Sequence, residues 1–369
     1  IEQHLGETPI AHYGNYVYYP WSQRVVHLLE EEEFIELRTN RNRNKITVEE
    51  AQILSTKKVG VIGLSVGQSV SVTMAMERGF GEIRLADFDL LELTNLNRIR
   101  TGVQNLGLSK VISVAREIKE IDPYLKVTAF IDGITEENID AFFKEGGMLD
   151  VCVDECDGID IKILCRQKAK EFHVPVVMES SDRGTLDVER FDLDPELPIL
   201  HGYLDHLDIS QVKNLESNEE KIPFLLPFTG IDTLSEKMRA SMLEIGTTLT
   251  TWPQLASAVT LGGGVTTNVC RRIFLGTYTD SGRYWIDMDE MIANKEAKHQ
   301  EDTTEVEEYA EAVKSSVSSK RSQMTLPSEN NHYTPTEKEM EEMVSCAIQA
   351  PSGGNIQPWL WEARGHELV

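Results

Sequence analysis

The sequence predicts an α/β fold, a mostly parallel sheet with helices on both faces, and three observations carry that expectation. Between Lys57 and Met178, strand-length apolar runs alternate with helix-length segments in the manner of β-α-β units. The runs themselves, such as Lys58-Val-Gly-Val-Ile-Gly63, are continuously apolar, as expected of strands covered on both sides. A length of 369 residues with 40% apolar and 26% charged residues allows a sizeable core and two or three domains.

Residues 1–56 are expected to form a helical lead-in. Aromatic and acidic stretches are followed by a basic cluster, Arg38, Arg41, Arg43 and Lys45, and Thr47-Val-Glu-Glu50 is a capping box that opens a short helix. A first strand at 58–63 leads through a glycine turn into a helix at 67–78, and Ile83 to Asp87 is a second strand. Ser109 is placed to cap a helix whose apolar positions Val111, Val114, Ala115, Ile118 and Ile121 share one face, and Asp122-Pro123 ends it. A strand near 126–131, a helix from Thr135 to Lys144 stopped by Gly146-Gly147, and a strand at Leu149 to Val153 continue the alternation. A helix at 159–172 and a strand at Pro175 to Met178 close it. Residues 185–260, punctuated by prolines, read as an irregular substrate-facing insertion, and 254–275 as a helical run interrupted by Gly262-Gly-Gly264. Residues 293–330 are rich in Glu, Lys and Ser and read as a linker, and 331–369 begin a new unit with a helix from Thr336 to Gln349. Both ends look cut, and the chain is read as a fragment.

Charge and composition exclude several roles. A net charge of −25 repels phosphate backbones and anionic lipid, so neither nucleic acid nor a membrane surface is an expected partner. No segment approaches the ~20 unbroken apolar residues of a bilayer crossing, and the opening residues lack a basic start before an apolar run, so a cytoplasmic location is expected. The five cysteines are scattered, without a Cys-x-x-Cys pair, which argues against a disulfide framework or a structural zinc site. Cys270 beside Arg271 and Arg272 reads as a buried structural cysteine rather than a thioester nucleophile.

The carboxyl ends of the strands are where a parallel sheet holds its ligand. The turn after the first strand, Gly63-Leu-Ser65-Val-Gly67, suits a phosphate at a helix N-terminus. The second strand ends Asp87-Phe-Asp89, and Asp87 follows Gly63 at about the spacing at which an acid reaches nucleotide ribose hydroxyls. Asn95, Arg98 and Lys110 then bring an amide, a guanidinium and an ammonium, a set suited to a triphosphate. The fourth strand ends Asp154-Glu-Cys-Asp157, where Asp157 is placed to share a Mg²⁺ with phosphate oxygens, or else Asp154 or Asp157 caps the next helix.

This order of motifs, from about Lys57 to Asp192 and more weakly to about 290, resembles the ThiF/MoeB/HesA adenylyltransferases, the fold of the ubiquitin-activating enzymes. The resemblance implies a Rossmann-like adenylation domain over 57–292 that converts a substrate carboxylate and ATP into an acyl-adenylate. It implies Gly63, Ser65 and Gly67 at the nucleotide, Asp87 with Asp89 at the ribose end, Asn95, Arg98 and Lys110 on the phosphates, and Asp157 on Mg²⁺. Arg98, Lys110 and Asp157 would thus be the catalytic set. The substrate would be the C-terminus of a ubiquitin-like or sulfur-carrier protein, a peptide or a small molecule, and the assembly a homodimer. Family members also use an arginine ahead of the first strand, a role open here to Arg38, Arg41 or Arg43. The chain departs from the pattern in carrying Ser65, Val66 and Gln68 around a single Gly67, and Gly158 where an Asn usually follows the magnesium Asp. Ala350-Pro-Ser-Gly-Gly-Asn-Ile-Gln-Pro-Trp359 resembles the opening of flavin-dependent nitroreductases, which implies that Ser352, Asn355 and Gln357 contact FMN in a longer protein.

Three other readings fit parts of the pattern. Gly63-x-Ser65-x-Gly67 spells a nucleophile elbow, for which Asp154 or Asp182 and His201 or His206 would complete a triad. The glycine turn and Asp87 also suit an NAD-dependent oxidoreductase. The altered glycine loop suits a catalytically degenerate module retained for binding or dimerisation beside a fused flavin domain.

Overall fold

A computed structural model describes residues 8–292, apart from 216–217, 231–232, 243, 246–247 and 250, together with the strands Ala363–Arg364 and Glu367–Leu368. The chain divides into two compact units, Ile1–Tyr18 with Val25–Met291, and Tyr19–Arg24 with Ile292–Val369. In the second unit the two short strands pair antiparallel. The expected linker, the helix from Thr336, and Ser352, Asn355 and Gln357 lie outside the described residues.

The lead-in is less helical than expected. Asn15–Tyr19 (β1) and Arg24–Leu28 (β2) form a two-stranded sheet, because their aromatic and β-branched residues favour extended backbone. Helices Glu31–Arg38 (α1) and Val48–Leu54 (α2) follow, and α2 opens on the capping box foreseen: Thr47 accepts from the Glu50 amide while Glu50 accepts from the Thr47 amide.

The alternation then runs Lys58–Ile62 (β3), Gly67–Glu77 (α3), Glu82–Ala86 (β4), Lys110–Ile121 (α4), Lys126–Phe130 (β5), Ile139–Lys144 (α5), Val151–Asp154 (β6), Ile159–Phe172 (α6) and Val176–Ser180 (β7). These five strands are parallel. The sheet does not close at β7, however. Thr185–Glu189 (β8) turns back antiparallel beside it, so the irregular segment begins after β8 rather than at 185. That segment includes helices Asn218–Thr229 (α7) and Glu236–Met242 (α8). Ala256–Phe274 (α9) and Gly282–Trp285 (β9) complete a seven-stranded sheet in the order β5-β4-β3-β6-β7-β8-β9.

Side chains alternate between two cores, as the strand period of two requires. Val59, Val61, Val151 and Val153 face α3, α4 and α9, meeting Val70, Met74, Val114, Ile118, Val269 and Ile273. Ile62 and Cys152 face α5 and α6, meeting Phe142, Phe143, Cys165 and Ala169. Gly262–Gly264 do not interrupt α9. Their missing side chains admit close packing: a Cβ on Gly262 would run into the Glu179 carboxyl, and one on Gly263 into Ser69. That packing offsets the roughly 1 kcal/mol per glycine lost in helix propensity. Ser109 occupies the N-cap position of α4 without capping it. Its backbone bridges to Leu90 and its hydroxyl is buried unpaired, while the first amide of the helix donates to the Asp89 carbonyl at 2.9 Å.

Candidate nucleotide site and adjoining cavity

Strand order reverses at the β3/β6 boundary, since β3 has β4 on its other side, and this is where an open parallel sheet holds a ligand beyond its carboxyl edge. Gly63 leaves β3 with φ +83°, a conformation disfavoured for residues with a Cβ, and a Cβ there would lie 2.6 Å from the Glu155 carbonyl. Gly67 opens α3 against β3, where a Cβ would lie 2.8 Å from a Val61 methyl. One glycine is required by the crossing of two chain segments and the other by helix–strand packing.

The acids after β4 organise this turn. Asp87 is buried; its Oδ2 accepts from the Leu64 amide at 2.6 Å and its Oδ1 from the Asp89 amide at 2.8 Å. Burial pushes its carboxyl above the usual range, against the pull of those two amides and Lys110. Asp87 therefore fastens the end of β4 to the glycine turn. Asp89 is half exposed and accepts from Lys110 Nζ at 2.8 Å.

Arg98 supplies the second cation. Its Nε donates to Ser65 Oγ at 2.8 Å, and its Nη1 to Asn97 Oδ1 at 2.9 Å and the Thr94 carbonyl at 3.3 Å. All three acceptors are neutral. Burial lowers its pKa and the field of Asp157 opposes that, which puts the exposed Asp157 within electrostatic reach of the guanidinium. Asn95 is buried and holds the turn that presents Arg98: its side-chain oxygen accepts from the Glu92 amide at 3.0 Å and its carbonyl from the Arg98 amide at 3.0 Å. The structure thus brings Asp87, Asp89 and Lys110 together on one side of the glycine turn and Ser65, Arg98 and Asp157 on the other. An ammonium and a guanidinium beside a helix N-terminus are a donor set suited to phosphate oxygens. A magnesium ion takes one or two carboxylates plus phosphate oxygens, so Asp157 fits such an ion only alongside a bound nucleotide.

A cavity of about 160 Å³ adjoins this site beyond the carboxyl ends of β6 and β7. Val66 and Asp157 line it from the nucleotide side, and Glu155, Cys156, Lys162 and Glu179 are also among its walls. Glu179 is buried, and neither carboxyl oxygen has a hydrogen-bond partner; burial pushes it up to about 8. Glu155 is raised by its own burial and by Glu179, to whose amide it is bonded at 3.1 Å. Burial alone would also raise Asp154, but Lys162 and Arg166 outweigh it and hold that carboxyl at about 2. Arg166, fully buried, reaches Asp154 at 2.5 Å and Glu189 at 2.5 Å, a fixed ionic floor under the site.

Several expectations are corrected by this geometry. No triad forms around Ser65: its hydroxyl accepts from Arg98, His201 Nε2 lies 2.8 Å from Asp187, and Asp154 is held by Arg166. Neither Asp154 nor Asp157 caps α6, whose N-cap is Gly158 without a side-chain bond. Arg38 is committed to the Ala75 and Met76 carbonyls and to Asp122, and Arg43 to Glu36. Cys270 is fully buried and burial pushes its thiol up, while Arg271 pairs with Glu77, so the structural reading of this cysteine holds. Glu155, Lys162 and Glu179 were not foreseen as site residues. The signal was present in Glu179, an acid inside an otherwise apolar strand, Val-Val-Met-Glu.

Residues 39–216, beginning within the lead-in, match the model of the ThiF family. An uncharacterised protein of Mycobacterium tuberculosis is 39% identical over 364 residues, which cover 96% of this chain and 47% of that protein. The tRNA threonylcarbamoyladenosine dehydratase of Bacillus subtilis is 28% identical over 155 residues, 42% of this chain and 60% of the other. Ubiquitin-like modifier-activating enzyme 5 of Aedes aegypti is 32% identical over 122 residues, 32% of this chain and 30% of the other. The chain therefore spans about half the length of the first of these relatives. Among solved structures, the E. coli tRNA N6-threonylcarbamoyladenosine dehydratase in complex with ATP aligns at a TM-score of 0.47 and 18% identity, covering 65% of this chain and 95% of that one. Among the described residues, no helix is long and apolar enough to cross a membrane.

Proposed function

We propose that this chain is an ATP-dependent adenylyltransferase that activates a substrate carboxylate. A carboxylate oxygen attacks the α-phosphorus of ATP, the bond from that phosphorus to the bridging oxygen breaks, and pyrophosphate leaves with the electron pair. The products are an acyl-adenylate and pyrophosphate. Little covalent chemistry falls to the protein, which acts by positioning and by neutralising phosphate charge. Arg98 and Lys110 are the cations for that task. Asp157 would hold Mg²⁺, which supplies further charge neutralisation when bound. Asp87, fixed by two backbone amides, sets the shape of the turn and offers the ribose its outer lone pairs.

The observation that carries the reading is Arg98, a half-buried guanidinium beside the glycine turn whose hydrogen bonds all go to neutral oxygens. A half-buried cation without a hydrogen-bonded carboxylate suits an anionic ligand. The ThiF family match and the relative named as a modifier-activating enzyme support the same chemistry. The net charge of −25 argues against an RNA substrate of the kind the dehydratase's name carries. The substrate is instead a protein or peptide C-terminus or a small carboxylic acid, and the assembly a homodimer. FMN would follow only from the resemblance of residues 350–359 to nitroreductases. The test is pyrophosphate release with Mg·ATP and a panel of carboxylates: Arg98→Ala and Lys110→Ala each lower it about 100-fold. Undiminished release in both variants would refute the assignment. A second reading, a module that keeps the fold without turnover, is favoured by one observation, that Arg98 occupies the Ser65 hydroxyl at the turn. It predicts no release in the wild type.

A further inference from the structure

The cavity beside the candidate nucleotide site belongs to no step described so far, although it opens where a substrate carboxylate would have to arrive. Val66 follows Ser65, the partner of Arg98, and Asp157 lies in the field of Arg98, yet both also line the cavity. Its remaining wall is chiefly apolar: Met178 from β7, Leu225 and Phe228 from α7, Met238 from α8, and Trp252.

The charged groups on that wall are mostly spoken for. Lys162 lies 3.4 Å from Asp154, Arg283 donates to Asp187 at 2.8 Å, and Asp182 accepts from Ser235 at 2.6 Å. Glu179 is buried with neither carboxyl oxygen hydrogen-bonded, and burial favours its neutral form. A volume of about 160 Å³ is enough to hold a benzene-sized group, for which roughly 150 Å³ suffices.

We propose that this cavity is the acyl-group pocket, and that it selects a carboxylic acid whose carboxylate-bearing unit carries one aromatic or similarly bulky apolar side group. The assignment rests on the adenylation reading for the fate of the carboxylate, but the pocket itself can be tested without nucleotide. Desolvation of the ring against Phe228, Met238 and Trp252 supplies the attraction. The carboxylate is left at the mouth beside Val66 and Asp157, facing Arg98.

The probes are 3-phenylpropionate, propionate and glycylglycine, titrated calorimetrically into the whole chain without ATP. Saturable binding of 3-phenylpropionate, with the other two at least about tenfold weaker, is expected for a pocket that buries a phenyl ring. Equal binding of the three, or no binding of any, overturns the proposal. Leu225→Trp, which fills the cavity, is expected to abolish phenylpropionate binding while the thermal shift with Mg·ATP is retained; undiminished binding overturns it. Met238→Ala enlarges the cavity and covers the case in which Leu225→Trp does not fold. It is expected to favour 3-(2-naphthyl)propionate over 3-phenylpropionate relative to wild type, and an unchanged ratio overturns the assignment. A wild-type chain that binds 3-phenylpropionate but shows no Mg·ATP shift refutes adenylation alone.

Discussion

Glu179→Gln is the perturbation whose size the structure fixes best. The folded carboxyl is raised from 4.5 to about 8 because it is buried without a hydrogen-bond partner. Between those values the folded chain keeps a proton that the unfolded chain has lost, so the contribution of this group to stability is greatest below 4.5 and declines as pH rises towards 8. At 1.36 kcal/mol per pH unit, the gap corresponds to about 5 kcal/mol as an upper limit. Glu155, which touches the same site, titrates with Glu179 as a pair, so part of that loss is shared. Glutamine keeps the shape and removes the titration. Urea unfolding followed by circular dichroism at pH 5, 7 and 9 should give near-equal stabilities at pH 5 and a variant more stable by about 2–5 kcal/mol at pH 9. Acids away from this pair titrate alike in both chains and cancel in the difference, whereas Glu155 loses the repulsion of Glu179 in the variant. Parallel curves for the two chains from pH 5 to 9 would refute the claim that a neutral carboxyl sits there.

Arg166→Ala leaves buried Glu189 without its cation and Asp154 with Lys162 alone, and should cost about 3–5 kcal/mol in urea unfolding at pH 7. Gly63→Ala forces a Cβ at φ +83° to 2.6 Å from the Glu155 carbonyl and should cost about 1–3 kcal/mol, read as a lower Tm. His201, whose pKa burial would lower but Asp187 raises on balance, contributes stability that is complete below its unfolded value and fades as pH rises through the folded one. His201→Gln should therefore lose more stability relative to wild type at pH 5 than at pH 9, as followed by thermal unfolding.

Much of this arrangement is written locally in the chain, and the exceptions have physical causes. The parallel half of the sheet is legible because its strands are buried on both faces and so are continuously apolar, as in β3 and β6. The capping box of α2 follows from side-chain chemistry within one turn. β8 was hidden because Thr-Leu-Asp-Val-Glu carries acids that only Arg166, Arg283 and His201, distant in sequence, make tolerable inside a sheet. The close packing of α9 at Gly262 and Gly263 involves Glu179 and Ser69, which the helix meets only after folding. Around the candidate site, the acid, amide and cation positions after β4 were readable as a set, but their pairing was not. Asp87 also accepts from the Leu64 amide and Lys110 also pairs with Asp89, contacts that no local pattern announces. The cavity had no sequence signal because its walls come from the turn after β3, the segment after β6, α6, β7, β8, α7, α8, the approach to α9 and β9.

The central claim is that Arg98 waits for a phosphate, and thermal shift tests it most directly. A ligand at 100 times its dissociation constant adds roughly 2.7 kcal/mol to the folded state. Stabilisation of that order by Mg·ATP, absent with NAD and lost in Arg98→Ala, is the predicted result. Equal stabilisation of Arg98→Ala and the wild type by Mg·ATP, or a response to NAD alone, would contradict it.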